Sequence, residues 1–533
     1  MDYVKIKDLD NGVYAKVICV QKADKFYAMK TPKEDDFDGI TFDFIRETSI
    51  LKSISSPYII SLLDIDYTNF QFIILPLYEY NLRDYIKKYP LSESSIRKIF
   101  RKISLGIHAL HSSGVIHRDI KPSNIMIDRK DSKVVLIDNG LSKNINYSRK
   151  YGNKTPDMVT SLYRPPEIFL NYTEYSFEID VWSAGVILAE LYLKKHLFSY
   201  QSEIEILTAQ AQLIGTTDLN LPFKIDDIDE RIIEMHEGCL VKHFEHFGKD
   251  FLTLLNDMLQ FNPKKRCLIS DVLNSPYCLL DVKVLDTRIT YENMLKTWIS
   301  PYHFIWKPFT KHSLITTKSE ITFNMRKILV SWMIDVCHHY NSHDSIYFSA
   351  CVLLDHFLIL SEIEKPEYQL LGMCCLLISS KLYSSSFYLS IDELIYMSAN
   401  AYIEKQVIEM EKRILRVLQF NISFPNLFDS LSIYHDKLSM KYYNKIRKYL
   451  YIWTLYPNYL DYKSSILVGT CCIKAIGREF ELNLDDNNRE NNRDKNSENR
   501  ELEESCKIFN LCLENYNSKT EQSIEDKFKH NSL

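Results

Sequence analysis

The sequence has little glycine and proline for its length, with only 13 Gly and 16 Pro in 533 residues. This scarcity excludes a collagen-like or low-complexity chain and, with 35 Tyr and 27 Phe, favours a globular protein rich in helix. A strong excess of either charge is also missing, since the net charge is only −5. We therefore expect neither nucleic acid nor an anionic membrane as a partner.

Metal-type cysteine pairs and long apolar runs are missing as well. None of the 12 cysteines forms a Cys-x-x-Cys pair, and several lie in apolar stretches, as buried thiols do in a reducing compartment. No uncharged apolar run reaches the length of about 18 residues that crosses a membrane. The opening segment MDYVKIKDLD lacks the apolar centre of a signal peptide. We expect a soluble intracellular protein, cytoplasmic or nuclear, with about two to four domains.

Residues that can carry chemistry concentrate in one polar loop between two apolar strands, residues 115–142, which reads VIHRDIKPSNIMIDRKDSKVVLIDNGLS. Phosphoryl transfer needs a carboxylate to orient a hydroxyl, oxygen ligands for Mg2+ and a cation beside the transferring oxygens. The spacing predicts Asp119 as the base and Lys121 as the cation. Asn124 and Asp138 are the predicted metal ligands.

With the segments before it, this loop resembles a protein kinase. Alternating segments within residues 3–74 predict strands, and residues 41–53 predict a helix between them. The resemblance implies that ATP is the phosphoryl donor, that Lys30 binds its α- and β-phosphates, and that Glu47 is the ion-pair partner of Lys30. The other nucleotide contacts that it implies are Gly12, Ala28, Pro76, Tyr78 and Asn81.

The phosphate-binding loop departs from the family pattern. Of the three family glycines only Gly12 is present, and Asp10 and Ala15 stand at the other two positions. Gly12 therefore fits a simple turn as well as a phosphate loop. A carboxylate at position 10 is expected to weaken nucleotide affinity, because both charges are negative.

Further motifs narrow the resemblance to the cyclin-dependent kinases. Ile45-Arg46-Glu47 matches the core of their cyclin-binding helix, and residues 158–167 match the end of their activation segment. Asp180 and Arg266 match buried residues that anchor the catalytic loop and pair with Glu167. By resemblance, Val159 and Arg164 imply substrates in which proline follows the phosphorylated Ser or Thr.

The same resemblance implies regulation by phosphorylation. Thr155 occupies the place of the family's activating threonine, and its phosphate would be bound by a pocket of three cations, Arg118, Arg46 and Lys143. The alternative for Thr155 is an unmodified loop hydroxyl. Tyr14 matches an inhibitory tyrosine site but fits plain packing equally well.

Asn139 is the main departure in the catalytic stretch, because the family has phenylalanine between the metal-binding aspartate and its glycine. Asp138 and Gly140 are present, so metal binding is still expected. A carboxamide at position 139 needs hydrogen bonds if it is buried, or it destabilises the active arrangement.

Kinase resemblance ends near Tyr277, and after a connector at residues 281–319 the chain shows helical periodicity with almost no strand pattern. Residues 320–420 resemble the cyclin box of A- and B-type cyclins. The matching signature residues, in chain order, are Arg326, Asp355, Leu370, Lys381 and Glu411. The resemblance implies that the first two pair inside the box. It implies that the last two bind the regulatory helix, near Ile45.

Two features remain in the second half. Six residues match the exposed patch on which cyclins dock R-x-L peptides, with burial in a core as the alternative: Met325, Ile328, Leu329, Trp332, Asp335 and Gln369. Residues 421–516 resemble a second cyclin-like repeat that contains a disordered insertion at 482–500, which is too polar to bury a core. Residues 517–533 are expected to form a tail.

The sequence therefore predicts an α+β two-lobed kinase fold at residues 1–280, followed by an all-α cyclin fold. The predicted function is a proline-directed serine/threonine kinase that uses Mg2+ and ATP and is activated in cis by its own cyclin domain. One alternative is a catalytically inactive scaffold that binds cell-cycle regulators. Another is a kinase whose cyclin half serves a different chain.

Overall fold

A computed structural model describes most of both halves of the chain. The described residues are 3–11, 15–33, 39–67, 71–129, 133–144, 161–172, 175–199, 202–216, 236–280, 321–383, 389–423, 426–432, 439–456, 470–471, 505–507 and 510. Several predicted features lie outside them: Gly12, Tyr14, Thr155, Val159, the connector 281–319, the insertion 482–500 and the tail 517–533. The side chain of Lys143 is also outside the description.

The chain divides into two compact units. The first comprises Met1–Asp35 and Arg46–Ser300, and the second comprises Asp36–Ile45 and Pro301–Leu533. A short segment from the first half of the sequence therefore belongs to the second unit, and the boundary between units falls inside one helix.

The first unit has ten described strands and ten described helices. The strands are β1 Val4–Asn11, β2 Ala15–Lys22, β3 Lys25–Pro32, β4 Asp64–Asp66, β5 Phe72–Pro76, β6 Tyr80–Asn81, β7 Val115–Ile116, β8 Ile125–Asp128, β9 Lys133–Leu136 and β10 Lys143–Asn144. The helices are α1 Phe42–Ser53, which continues from the second unit, α2 Leu82–Lys88, α3 Glu93–Ser112, α4 Pro166–Phe169, α5 Glu178–Leu193, α6 Glu203–Ile214, α7 Leu240–Phe244, α8 Lys249–Met258, α9 Ile269–Asn274 and α10 Pro276–Leu279.

The first lobe is an antiparallel sheet in the order β1-β2-β3-β5-β4. Its buried face is built by alternate residues of the strands, because successive side chains of a strand point to opposite faces. Val20, Phe72 and Ile74 form its core. Lys30 lies in β3, paired with Ile73 of the neighbouring strand β5.

The second lobe is built on α3 and α5. Ser92 caps the 20-residue helix α3 by accepting the backbone N–H of Ser95 at 3.2 Å. Almost every residue of α5 is apolar or small, and the helix is buried along its length, as expected of a central core helix. The small sheets β6-β8-β9 and β7-β10 carry the polar loop of residues 115–142.

All described elements of the second unit are helical. Besides the start of α1 they are α11 Phe323–His339, α12 Asp344–Leu360, α13 Tyr368–Tyr383, α14 Ile391–Met397, α15 Glu404–Val417, α16 Leu427–Ser432 and α17 Met440–Thr454. Helix α13 is buried along most of its length, and α11 packs closely on it. The approach requires Gly372, because an added Cβ would lie 2.7 Å from Leu329 Cδ1. The prediction of an α+β first half and an all-α second half is confirmed.

Helix α12 begins at Asp344, where the ring of His343 accepts the backbone N–H of Ser345. In the part of the chain that the structure describes, no helix has both the length and the apolarity needed to cross a bilayer.

Candidate active site

Asp180, near the start of α5, holds the polar loop of residues 115–142 in place through hydrogen bonds. Its carboxylate accepts the backbone N–H groups of His117 and Arg118 at 2.8 and 2.9 Å, and it contacts His111 Nε2 at 2.9 Å. These bonds hold Arg118 at φ +67°, a conformation that favours glycine. Burial raises the pKa of Asp180, but the hydrogen bond and charge of His111 outweigh it and leave the pKa lowered.

The two carboxylate oxygens of Asp119, the predicted base, differ in their hydrogen bonds. Its Oδ2 accepts Lys121 Nζ at 2.7 Å and Asn124 Nδ2 at 2.8 Å. Its Oδ1 is buried and has no hydrogen-bond partner among the described residues. The bonds to Oδ2 fix the carboxylate, which leaves Oδ1 as the oxygen that can accept a hydrogen bond from a substrate hydroxyl.

The structure also brings Lys30, Glu47 and Asp138 together. Lys30 Nζ lies 2.7 Å from Glu47 Oε2 and 2.7 Å from Asp138 Oδ1. Burial lowers the pKa of Lys30, but the two carboxylates outweigh it and raise the pKa above its usual value, so the amine is charged. The Lys30 charge in turn lowers the pKa of Asp138.

The two predicted metal ligands lie on adjacent segments, because the backbone N–H of Ile137 donates to the Asn124 carbonyl at 3.0 Å. The Asp138 side chain is 42% exposed and presents hard oxygen donors, which suit Mg2+. The described residues contain no cluster of three or more His, Cys, Asp or Glu able to hold a metal. A site with one carboxylate and one amide fits Mg2+ that is also bound by phosphate oxygens.

Asn139 is fully buried and only half satisfied. Its Oδ1 accepts the Ser142 hydroxyl at 3.3 Å, whereas its Nδ2 has no partner among the described residues. An unpaired buried donor of this kind costs about 1–3 kcal/mol. Within the described residues, the buried carboxamide at position 139 therefore lacks part of the hydrogen bonding that a buried amide needs.

Two of the three cations of the predicted anion pocket donate to backbone carbonyls of neighbouring residues. Arg118 Nε donates to the Leu141 carbonyl at 2.6 Å, and its Nη2 is buried without a partner among the described residues. Arg46 Nη1 donates to the Gly140 carbonyl at 3.3 Å. Lys143 contributes its backbone to β10, opposite Ile116.

The predicted adenine and ribose contacts lie on β3, at the end of β5, and between that point and the end of β6. Ala28 pairs with Leu75, and the neighbouring Tyr27 pairs with Pro76. Tyr78 is half-buried, and burial raises the pKa of its hydroxyl. The Asn81 side chain caps α2, since its Oδ1 accepts the backbone N–H of Asp84 at 2.8 Å. A ribose contact would therefore compete with this cap.

The predicted buried anchors form a bidentate ion pair. Arg266 Nη1 and Nη2 donate to the two Glu167 oxygens at 2.8 and 3.0 Å. Arg164, at the predicted substrate-proline region, is buried and pairs with Glu203. His111, which contacts Asp180, is a further residue of the site that no motif predicts. Its position in the last turn of α3, just before the loop, is the sequence signal that points to it.

Inside the second unit, the five signature residues behave as two groups. Arg326 makes a bidentate pair with Asp355 at 2.8 Å for each bond, and its Nη1 also donates to the Thr454 carbonyl at 2.8 Å. Leu370 is buried nearby on α13. Lys381 Nζ lies 2.6 Å from Glu411 Oε1, and both side chains are buried.

The Lys381–Glu411 pair binds the segment that precedes α1. Lys381 Nζ donates to the Ile40 carbonyl at 2.8 Å, and Glu411 Oε2 accepts the Ile40 backbone N–H at 3.1 Å. On α1 itself, Phe44 contacts Phe420 edge to face with ring centroids 5.9 Å apart, and Ile45 is fully buried. Because residues 36–45 belong to the second unit, all these contacts are internal to it.

The predicted peptide-docking patch is exposed in part. Ile328 is 70% exposed and Asp335 is exposed, while Met325, Trp332 and Gln369 are half-buried. Leu329 is 5% exposed and packs against Gly372, so its assignment to an exposed surface is wrong. The reason is that α11 uses this residue to pack on α13.

Comparisons with known proteins cover both halves. The model of the protein kinase domain matches residues 3–278, and the model of the cyclin N-terminal domain matches residues 304–423. A probable CTD kinase subunit alpha homolog of Encephalitozoon cuniculi (strain GB-M1) is 31% identical over 290 residues, covering 52% of this chain and 84% of the relative. A probable cyclin-dependent serine/threonine-protein kinase of Dictyostelium discoideum is 32% identical over 248 residues, covering 44% of this chain and 37% of the relative. The crystal structure of the yeast RNA Pol II CTD kinase CTDK-1 complex gives a TM-score of 0.48 at 25% identity, covering 54% of this chain and 96% of that chain.

Proposed function

Because the chain belongs to the protein kinase family and carries a cyclin N-terminal domain after its kinase domain, we propose that it is a proline-directed serine/threonine kinase of the cyclin-dependent type. We also propose that its own cyclin domain activates it in cis. The observation that carries this proposal is the binding of the Ile40 backbone by Lys381 and Glu411.

The catalytic step uses Oδ1 of Asp119, the carboxylate oxygen without a partner among the described residues. A substrate Ser or Thr hydroxyl donates to Oδ1, which orients the hydroxyl oxygen for attack on the γ-phosphorus of ATP. As the new P–O bond forms, Oδ1 accepts the proton, the bond from the γ-phosphorus to the β–γ bridging oxygen breaks, and ADP leaves. Lys121 holds Oδ2 and offers its charge to the transferred phosphoryl group. Asp138 and Asn124 would hold Mg2+, and the charge of that ion would offset the negative charge of the phosphate oxygens.

Activation in cis follows from the position of Glu47. Ile40, which the second unit binds, lies two positions before the start of α1. Glu47, which pairs with Lys30, lies inside α1, only seven positions after Ile40. Fixing the start of this helix restricts where Glu47 can lie. A covalent connection also gives the cyclin domain an effective concentration on the order of millimolar, so no separate cyclin is needed.

Two experiments test the parts of this proposal separately. Matched Ser-Pro and Ser-Ala peptides test substrate choice, and equal rates on the two would contradict proline direction. Specific activity over a hundredfold dilution, with light scattering, tests activation in cis. Constant activity of a monomer supports it, whereas activity that falls with a dissociating dimer contradicts it.

We also propose that Thr155 is a phosphorylation site. Arg118 Nη2 is buried and has no partner among the described residues, which supports a phosphate pocket. Arg46 donates to the Gly140 carbonyl, next to the Leu141 carbonyl that Arg118 Nε binds, so the two arginines contact neighbouring residues. Mass spectrometry after incubation with a kinase that activates cyclin-dependent kinases tests whether Thr155 carries a phosphate. The Thr155→Ala variant tests its effect on activity.

A second candidate is a scaffold without catalysis that binds R-x-L-containing regulators through Ile328 and its neighbours. The unsatisfied Asn139 amide and the carboxylate of Asp10 favour it. A thermal shift with Mg-ATP separates the candidates. A stabilised protein supports the kinase, and an unchanged melting temperature supports the scaffold.

A further inference from the structure

Gly39 occupies a position that leaves no room for a side chain. Its φ is +85°, a conformation that residues other than glycine rarely adopt. A Cβ built on its backbone would lie 2.5 Å from Glu411 Oε2 and 3.5 Å from Lys381 Nζ. The first distance is shorter than any non-bonded contact of a real Cβ atom, so one of the two groups would have to move.

Glu411 is poorly placed to move away. One of its oxygens is bound by Lys381 at 2.6 Å, and the other accepts the Ile40 backbone N–H at 3.1 Å. The Glu411 side chain has no exposed surface, and that of Lys381 is 3% exposed. Displacing the carboxylate would break buried, charge-assisted hydrogen bonds, which are the stronger kind.

We infer that the Lys381–Glu411 pair is selective for a glycine–aliphatic dipeptide. It excludes any side chain at position 39, binds both backbone groups of residue 40, and lies beside a site that buries the Ile40 side chain completely. This inference rests on the proposed contact between cyclin domain and kinase domain and deepens it. The partner that the pair accepts is a kinase segment that offers glycine before its regulatory helix.

Gly248 provides a matched control for backbone strain. It also has positive φ, at +100°, but a Cβ added there meets no atom of the described residues within 4 Å. Alanine at 248 therefore reports the effect of the φ angle alone. Alanine at 39 adds the collision with Glu411.

The test is hydrogen exchange at the Ile40 amide in the full-length chain, because this N–H donates directly to Glu411. We expect Gly39→Ala to lower the protection of this amide at least tenfold and Gly248→Ala to leave it within twofold of wild type. Protection that survives Gly39→Ala within twofold would overturn the inference.

A double-mutant cycle adds a second test with an activity readout. In a Glu411→Asp background, where the carboxylate is one methylene shorter, Gly39→Ala should lower phosphate transfer by no more than about threefold, against at least tenfold in wild type. Equal effects in both backgrounds would contradict the inference. Hydrogen exchange and phosphate transfer test different claims. If the Ile40 amide is protected in wild type but no phosphate is transferred, only the proposed function is overturned. If wild type transfers phosphate but Gly39→Ala leaves the protection of the Ile40 amide unchanged, only the glycine selectivity is overturned.

Discussion

Glu411 accepts the backbone N–H of Ile40 at 3.1 Å, although 371 positions separate the two residues in sequence. Ile40 lies in the part of the chain matched by the protein kinase model, and Glu411 lies in the part matched by the cyclin model. One compact unit thus contains residues from both. The proposed activation in cis depends on this hydrogen bond and on the matching one from Lys381.

Asp119→Asn tests the proposed base. The carboxamide keeps the shape of the side chain but is far less basic, so we expect phosphate transfer to fall by about 10²- to 10⁴-fold. ATP affinity should remain within twofold, because the change does not touch the Lys30–Glu47 pair. Steady-state kinetics and ATP titration check the two effects, and a rate within threefold of wild type would rule Asp119 out as the base.

Asn139→Leu tests the unsatisfied amide. Leucine has the same branched arrangement of heavy atoms and no polar atom, so the buried donor that lacks a partner among the described residues disappears. We expect the free energy of unfolding to rise by about 1 kcal/mol. Urea titration measures this change, with Ser142→Ala as the control for loss of the hydroxyl that bonds to Asn139. A destabilised Asn139→Leu protein would show that the amide has a partner that stabilises it.

Asp10→Gly tests the altered phosphate loop. Asp10 is exposed, and its Oδ1 accepts the backbone N–H of Asn11 at 2.8 Å. Removing this negative charge near the nucleotide phosphates should tighten ATP binding about two- to fivefold at low salt. Asp8→Asn, in the same strand, serves as the control. Equal or weaker ATP affinity in Asp10→Gly would contradict a repulsive role.

The stability of the first unit should decrease on mild acidification because of His108. Burial lowers its pKa from 6.5 to about 4, and the nearby His111 adds to this. Between these values the unfolded chain binds the proton and the folded chain does not, so stability is fully present above pH 6.5 and decreases as pH falls toward about 4. The expected loss is about 2 kcal/mol between pH 7 and 5.

Urea titrations at pH 7 and 5 measure this loss in wild type and in His108→Gln. The glutamine side chain does not titrate, so the variant should lose less stability on acidification. Identical pH dependence of the two proteins would contradict the assignment to His108.

Sequence reasoning was strongest where side chains carry the signal. The carboxylates and cations of the catalytic stretch have fixed spacings, so Asp119, Asn124 and Asp138 were identified together, and the structure brings Lys121 and Lys30 to two of them. The resemblance to cyclins, carried by Lys381 and Glu411 among other residues, implies that these two side chains bind the regulatory helix.

The sequence was least informative where backbone hydrogen bonds or close packing determine which residues are in contact. The Lys381–Glu411 pair binds the backbone of Ile40, and any residue at position 40 would offer the same backbone groups. The need for glycine at position 39 arises from its short distance to Glu411. Leu329 has the apolar character of both a docking surface and a core. Only the approach of Gly372 shows that it is core.

The central claim is tested most directly by phosphate transfer from labelled ATP to a Ser-Pro-x-Lys peptide, using the full-length chain without added cyclin. Controls are Asp138→Asn, Glu411→Arg and Glu409→Lys, the last being an exposed charge reversal on the same helix α15. Activation in cis predicts transfer by wild type and Glu409→Lys, no transfer by Asp138→Asn and at least tenfold weaker transfer by Glu411→Arg. A silent wild type, even with Thr155 phosphorylated, or full activity of Glu411→Arg would contradict it.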